Sequence, residues 1–217
     1  MRRLLLLALP LATLLTASCG PRPIDVARKD ADFDYQYGRY AEAAPAYLEI
    51  IDRYPGDWEA EYRYGMCLVH LGKPQEARTH IETAAAANPA SQEVAFALAD
   101  VYASLNERGR MTQLLKSRAV ERGETASWVK LAELAHQLND LDLEDMAVAN
   151  GLRMKATDQW MAYVYDAKRL EAKGDKELVM RRLRQAYFLN PHSPIVITML
   201  QARGEQPGPQ TGLPPEK

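Results

Sequence analysis

The sequence predicts an all-α fold, a solenoid of about five helical hairpins closed by a short C-terminal capping helix. Three observations predict it. Ala, Leu, Glu and Arg dominate the composition, and these residues favour helices. Strand signals are nearly absent, with Ile195-Val196-Ile197-Thr198 the one β-branched run. A turn signal also recurs at an almost fixed period: Gly38, Gly72, Asn106, Asn139 and Gly174 are spaced by 34, 34, 33 and 35 residues. Gly and Asn are the residues that most readily take the left-handed conformation closing a helix. A fixed period of this length means one supersecondary unit stacked on copies of itself.

The chain opens with a leader. Arg2 and Arg3 form a positive start, and residues 4–15 form an apolar run interrupted by Pro10 and Thr13. Twelve residues are too few to span a bilayer, which takes about 20. The run suits the hydrophobic region of a secretory signal, and Thr16-Ala17-Ser18 supplies the small residues of a cleavage site. Residues 1–18 therefore read as a signal peptide and 19–23 as a linker. The hairpins follow at 24–57, 58–91, 92–124, 125–159 and 160–193. In each, a small residue occupies one packing column (Ala31, Gly65, Ala99, Ala132, Ala167) and an apolar residue another (Tyr47, Ile81, Leu115, Val148, Leu183). Pro55, Pro89 and Pro191 stop three of the units, and Gly123 ends a fourth. Residues 194–203 form the cap, with Ile195, Ile197, Met199 and Leu200 to bury. The tail 204–217, GEQPGPQTGLPPEK, is rich in Pro and Gly and reads as disordered.

Charge and cysteine usage narrow the function. Lys and Arg number 27 against 29 Asp and Glu, and removing the leader with Arg2 and Arg3 takes the net charge from −2 to −4. A nucleic-acid binder would be strongly basic. The two cysteines are Cys19 and Cys67. Cys67 sits at a packing position, where a buried thiol is expected rather than a nucleophile.

The columns resemble the tetratricopeptide repeat family. The resemblance is closest in GKPQEARTHIETAAAANPAS (72–91) and extends over nearly all of the chain after the leader. Repeat four departs from the pattern at Glu144, Gly151 and Ala156, and repeat one carries Asp30 and Asp34 where apolar residues are usual. A polar outer face is what an end repeat needs. The resemblance implies a right-handed superhelix whose first helices line a concave groove for a protein or peptide partner. Its lining positions fall on Tyr35 and Gln36, on Tyr62, Met66, Val69 and His70, on Phe96, Asp100 and Ser104, on Val129, Glu133 and His136, and on Val164, Lys168 and Glu171. Tyr62 and Phe96 have the alternative of packing between helices. The carboxylate clamp of the family's co-chaperone members is absent, since its places hold Arg28 with Asp32 and Tyr62 with Met66.

The leader junction, LTASCG, resembles a bacterial lipobox, with Thr16 where Leu is usual. That resemblance implies that Cys19 is the lipidated first residue of the mature chain, an anchor in the membrane, with Gly20 favouring the outer membrane. The alternative is an ordinary secretory leader with an incidental cysteine, giving a soluble periplasmic scaffold. The chemistry of an enzyme is not visible. His70, His80, His136 and His192 show no metal-ligand spacing, and there is no Gly-rich phosphate loop. Asp140, Asp142, Glu144 and Asp145 beside one turn read as a solvated surface, as do Arg181, Arg182 and Arg184. No cofactor, metal or small-molecule substrate is expected. The reading is a membrane-anchored adaptor in pilus, outer-membrane protein or cell-wall assembly, with an accessory cell-wall enzyme as the alternative of another class.

Overall fold

A computed structural model describes residues 22–215. The leader, Cys19 and all but the end of the linker lie outside the described residues. Within them the chain forms eleven helices and no strand: α1 (Ile24–Gln36), α2 (Tyr40–Arg53), α3 (Trp58–His70), α4 (Pro74–Ala87), α5 (Gln92–Ser104), α6 (Arg108–Arg122), α7 (Thr125–Gln137), α8 (Leu141–Arg153), α9 (Trp160–Ala172), α10 (Lys176–Leu189) and α11 (Pro194–Gln201). The odd-numbered helix of each hairpin packs on its even-numbered partner, and that partner packs on the next hairpin. Helices α3, α5, α7 and α9 also meet in series, so the first helices form a continuous inner row. The fold is an α-solenoid of five helical hairpins with α11 at its C-terminal end.

The five periodic Gly and Asn residues explain the reversals. Gly38, Gly72, Asn106, Asn139 and Gly174 all have positive φ, between 54° and 80°. At the second turn Gly72 N–H donates to Val69 C=O (3.0 Å) and Lys73 N–H to Leu68 C=O (2.9 Å). These two bonds satisfy carbonyls that the end of α3 would leave orphaned. The longer bond recurs as Arg39 to Asp34, Glu107 to Tyr102, Asp140 to Ala135 and Asp175 to Leu170. The second helix then begins within two residues of each turn residue.

The small column lets the two helices of a hairpin approach. A Cβ at Gly65 would lie 2.5 Å from Ile81 Cγ1, so α3 and α4 meet where only hydrogen fits. Around these contacts Tyr47, Ile50, Ile81, Met111, Leu115, Leu131, Leu134, Leu183 and Leu200 are almost wholly buried. They fall into three clusters: one over α1–α3, a large central one over α3–α8, and one over α9–α11.

Repeat four departs from the sequence pattern for local reasons. A Cβ at Gly151 would stand 3.1 Å from Ala162 Cβ, so glycine lets α8 approach α9. Glu144 is buried, yet it accepts from Tyr165 Oη (3.0 Å) and meets His136 Nδ1 (3.1 Å). Helix α7 has no capping side chain at its own N-cap. Asp158, in the connection to α9, accepts from Thr125 N–H (3.2 Å) and Ala126 N–H (2.8 Å) instead.

Two expectations are corrected. The tail was expected to be disordered, but residues 204–215 lie against α10. Glu205 forms a forked pair with Arg184 (2.8–3.1 Å), Leu213 N–H donates to Arg184 C=O (3.1 Å), and Gly212 abuts Phe188. Pro and Gly exclude helix there, but they do not prevent a strap held by the Arg184–Glu205 ion pair and by backbone bonds to Leu200 and Arg184. The outer face of α1 is also less polar than an end repeat was expected to be. Val26, Phe33 and Tyr37 are exposed on it.

Candidate partner-binding groove

The first helices place a row of side chains along one side of the solenoid. At its N-terminal end, α1, α3 and α5 enclose a pocket of about 500 Å³, lined by Arg28, Asp32, Tyr35, Gln36, Tyr40, Trp58, Glu59, Tyr62, Arg63 and Glu93. Most of its ionic groups are engaged. Arg28 pairs with Asp57 and reaches Glu59 (3.7 Å). Asp32 accepts from Tyr47 Oη (2.6 Å), and Glu93 accepts from Tyr62 Oη (3.1 Å). Burial raises the pKa of both phenols, and the partner carboxylates raise it further.

Arg63 is different. Its guanidinium lies over the rings of Tyr35 (4.8 Å to the centroid) and Tyr62 (5.8 Å), with no carboxylate in ion-pair contact among the described residues. Burial works against its charge, but the hydrogen bond with Tyr35 and the nearby Tyr47 and Glu93 outweigh it and raise its pKa. A half-buried cation stacked on tyrosine, beside Trp58, gives the pocket the residue types that dominate protein interfaces.

Further along the row, Met66, Val69 and Phe96 are half-buried against the central core. Asp100 pairs with Lys130 Nζ (2.6 Å), linking α5 to α7 across the row. Val129 is half-buried beside that link. A second pocket of about 400 Å³ lies between α7, α8 and α9, lined by residues that include His136, Leu141, Glu144, Tyr165, Lys168 and Arg169.

The expected lining residues thus divide. Tyr35 and Tyr62 come together in the N-terminal pocket, and His136 lines the C-terminal one. Tyr62 is 7 % exposed and packs in the central cluster, so only its edge lines the pocket. This matches the alternative of packing between helices for most of the ring, while its hydroxyl donates to exposed Glu93 at the pocket. His70 is not a free groove residue either, because its ring stacks flat on Tyr40 (3.9 Å, 5°). Asp100 lies at the expected place but is held by Lys130. Arg63, Trp58 and Tyr40 escaped the sequence reading. Arg63 follows a lining position, Trp58 opens the same helix and Tyr40 opens a second one. The one available signal was the density of aromatic residues around Arg63.

Other chemistry-bearing groups are tied into the fold. His80 Nδ1 meets Glu61 (2.7 Å), and Cys67 is buried with its thiol pushed up to about 12 by desolvation. Among the described residues no cluster of His, Cys, Asp and Glu has the geometry to hold a metal ion, and no helix is long and apolar enough to cross a membrane.

The tetratricopeptide repeat family profile matches residues 34–92 and 68–112, the stretch carrying the turns at Gly38, Gly72 and Asn106. Residues 34–112 carry tetratricopeptide repeats. Solved structures extend the likeness over the tetratricopeptide fold as a whole. A MamA protein shares 16 % identity over 84 % of this chain and 95 % of its own, with a TM-score of 0.55. A tetratricopeptide repeat protein from Parabacteroides merdae shares 14 % identity over 85 % of this chain and 72 % of its own, with a TM-score of 0.54. MamA from Desulfovibrio magneticus shares 14 % identity over 79 % of this chain and 97 % of its own, with a TM-score of 0.53. Similarity at this level establishes the fold. No curated protein sequence matches the chain. Tetratricopeptide repeat proteins are in general non-catalytic scaffolds for protein–protein interaction, and the groove described above is consistent with that role.

Proposed function

We propose that the chain is a lipid-anchored adaptor of the bacterial envelope, holding a segment of a protein partner in its concave groove. The observation that carries the groove reading is the N-terminal pocket. It combines about 500 Å³ of space with Tyr35, Trp58 and a guanidinium that has no ion-pair partner among the described residues. The apolar strip through Met66, Val69 and Phe96 continues from it and suits an extended peptide or one face of a helix. The anchor reading rests on Cys19, which directly follows Thr16-Ala17-Ser18. Three acyl chains on that residue would hold a membrane firmly, because each buried methylene contributes about 0.8 kcal/mol. Gly20 after the cysteine favours the outer membrane, facing the periplasm, and assembly of envelope machinery is the matching role.

Crosslinking from native membranes tests the groove. Wild type and the double variant Tyr35→Ser, Arg63→Ser are compared, with circular dichroism confirming equal helix content. The variant is expected to lose the crosslinked partner. Equal capture by a folded variant would move binding to the convex face. The intact mass of the mature chain tests the anchor independently, and Cys19→Ser should release the protein from membranes.

A further inference from the structure

We infer that the outer face of α1 lies against the bilayer, so that the solenoid stands on its N-terminal end. The inference rests on the lipid anchor proposed at Cys19 and adds the surface that the anchor holds to the membrane.

Three observations carry it. Val26, Phe33 and Tyr37 are 46 %, 52 % and 67 % exposed, and their spacing of seven and four residues puts them on one stripe of α1. No preceding repeat covers that stripe among the described residues. The stripe is also preorganised. The rings of Phe33 and Tyr37 meet at 4.6 Å, and the Arg39 guanidinium lies over both, at 4.9 and 5.6 Å. Arg39 is neutralised by Asp34 (2.5 Å), and Asp30, on the same stripe, is paired with Arg22 (3.4 Å). The face therefore presents aromatic rings beside two compensated charges, Arg39 and Asp30, with exposed Lys29 on the same stripe. Tyrosine, with an apolar body and a polar tip, suits the headgroup level of a bilayer.

The third observation selects lipid over another protein. Arg22 is already fastened to the first hairpin. Its guanidinium meets Glu49 (2.9 Å) on α2, and its carbonyl accepts from Arg53 Nη1 (2.7 Å). Only three residue spans separate Cys19 from this fixed point, a reach of at most ~11 Å even fully extended. Arg22 also reaches Asp30, which shares a stripe of α1 with Val26, Phe33 and Tyr37, so the fixed point of the tether lies between that stripe and the end of α2. An acylated Cys19 would bring that stripe to the headgroups without room for a second folded chain between.

The test uses the full lipidated chain in phosphatidylethanolamine–phosphatidylglycerol vesicles. Val26→Cys carries a nitrobenzoxadiazole label, and Val120→Cys on α6, 70 % exposed, serves as the control. Cys67 is buried and remains unlabelled, and the sulfur of Cys19 is consumed by the lipid. The label at residue 26 should shift to the blue and brighten relative to the same label on a Cys19→Ser chain in solution. The label at residue 120 should not change. Adding Phe33→Ser and Tyr37→Ser to the Val26→Cys chain should abolish the shift while the protein stays on the vesicles. Equal water exposure at residues 26 and 120 in a chain of lipidated mass overturns the inference and leaves the anchor standing. A shift that follows protein concentration in the Cys19→Ser chain without vesicles assigns the stripe to a second copy and also overturns it. An unmodified mass for the mature wild-type chain removes the anchor reading itself, and this inference with it.

Discussion

At the scale of single residues, backbone conformation and buried polarity decide most of what can be tested. Gly72 has φ of +74° and open space around its missing Cβ, so a side chain there costs conformational strain alone. Gly72→Val should destabilise the chain by roughly 1–2 kcal/mol, the scale of forcing a β-branched residue into the left-handed region. Thermal unfolding reads this, and an unchanged midpoint would mean that the turn does not close α3. A second residue-scale expectation concerns tyrosine. Tyr47, Tyr62, Tyr102 and Tyr165 each donate to a carboxylate, and burial followed by that carboxylate raises each phenol above its ordinary value of 10.0. Tyr102 is pushed up to about 12. A raised phenol binds its proton more tightly in the folded chain than in the unfolded one. The stability it contributes is therefore complete below the ordinary phenol range and is lost as pH rises above 10. Phenolate absorbance from these four should appear together with loss of helical circular dichroism. Their ionisation in a chain that keeps its helices would contradict the buried pairings. The position of each phenol was legible in the sequence, but the pairings were not. Tyr62 joins Glu93 across 31 residues and Tyr165 joins Glu144 across 21, contacts that only the stacking of hairpins creates.

At the scale of elements, the hairpins are not independent bricks. Asp158 closes the N-terminus of α7 from the connection that follows α8, so repeat four is finished by a residue beyond its second helix. Asp158→Ala should cost about 1 kcal/mol, the usual loss for an N-cap. Hydrogen exchange should then show the first turn of α7 opening while the first turn of α5, capped by its own Ser91, keeps its protection. Equal protection of α7 in the variant would show that water substitutes fully for the carboxylate. The sequence made the turns readable because each depends on one residue type at one place. It hid the Asp158 cap because a cap supplied from 33 residues away has no local signature. The tail was misread for a related reason: composition rules out helix and strand, but the Arg184–Glu205 pair that fastens it is a tertiary fact. In the groove, the lining positions followed from the repeat, whereas the bond of Tyr62 to Glu93 and the stacking of half-buried Arg63 on Tyr35 are tertiary facts.

At the scale of the whole molecule, three buried clusters follow one another along the solenoid, joined at α3 and Tyr64 and at Leu152. In such a stack stability is close to a sum of local and nearest-neighbour terms. Leu183 is fully buried in the cluster over α9–α11, and Leu183→Ala should cost about 2–5 kcal/mol. The loss should remain local, with amides of α10 and α11 exchanging faster and those of α4 and α5 unchanged. A uniform rise in exchange along the chain would instead reveal a single cooperative unit. The uniform turns have a kinetic corollary. Each passes from the first helix of a hairpin to the second in about three residues, so none of these five connections is long enough to fold over the concave side. A segment bound there is gripped without being enclosed. Under the proposed function, none of these five turns would have to open before such a segment left, so weakening a side-chain contact in the groove should speed its departure.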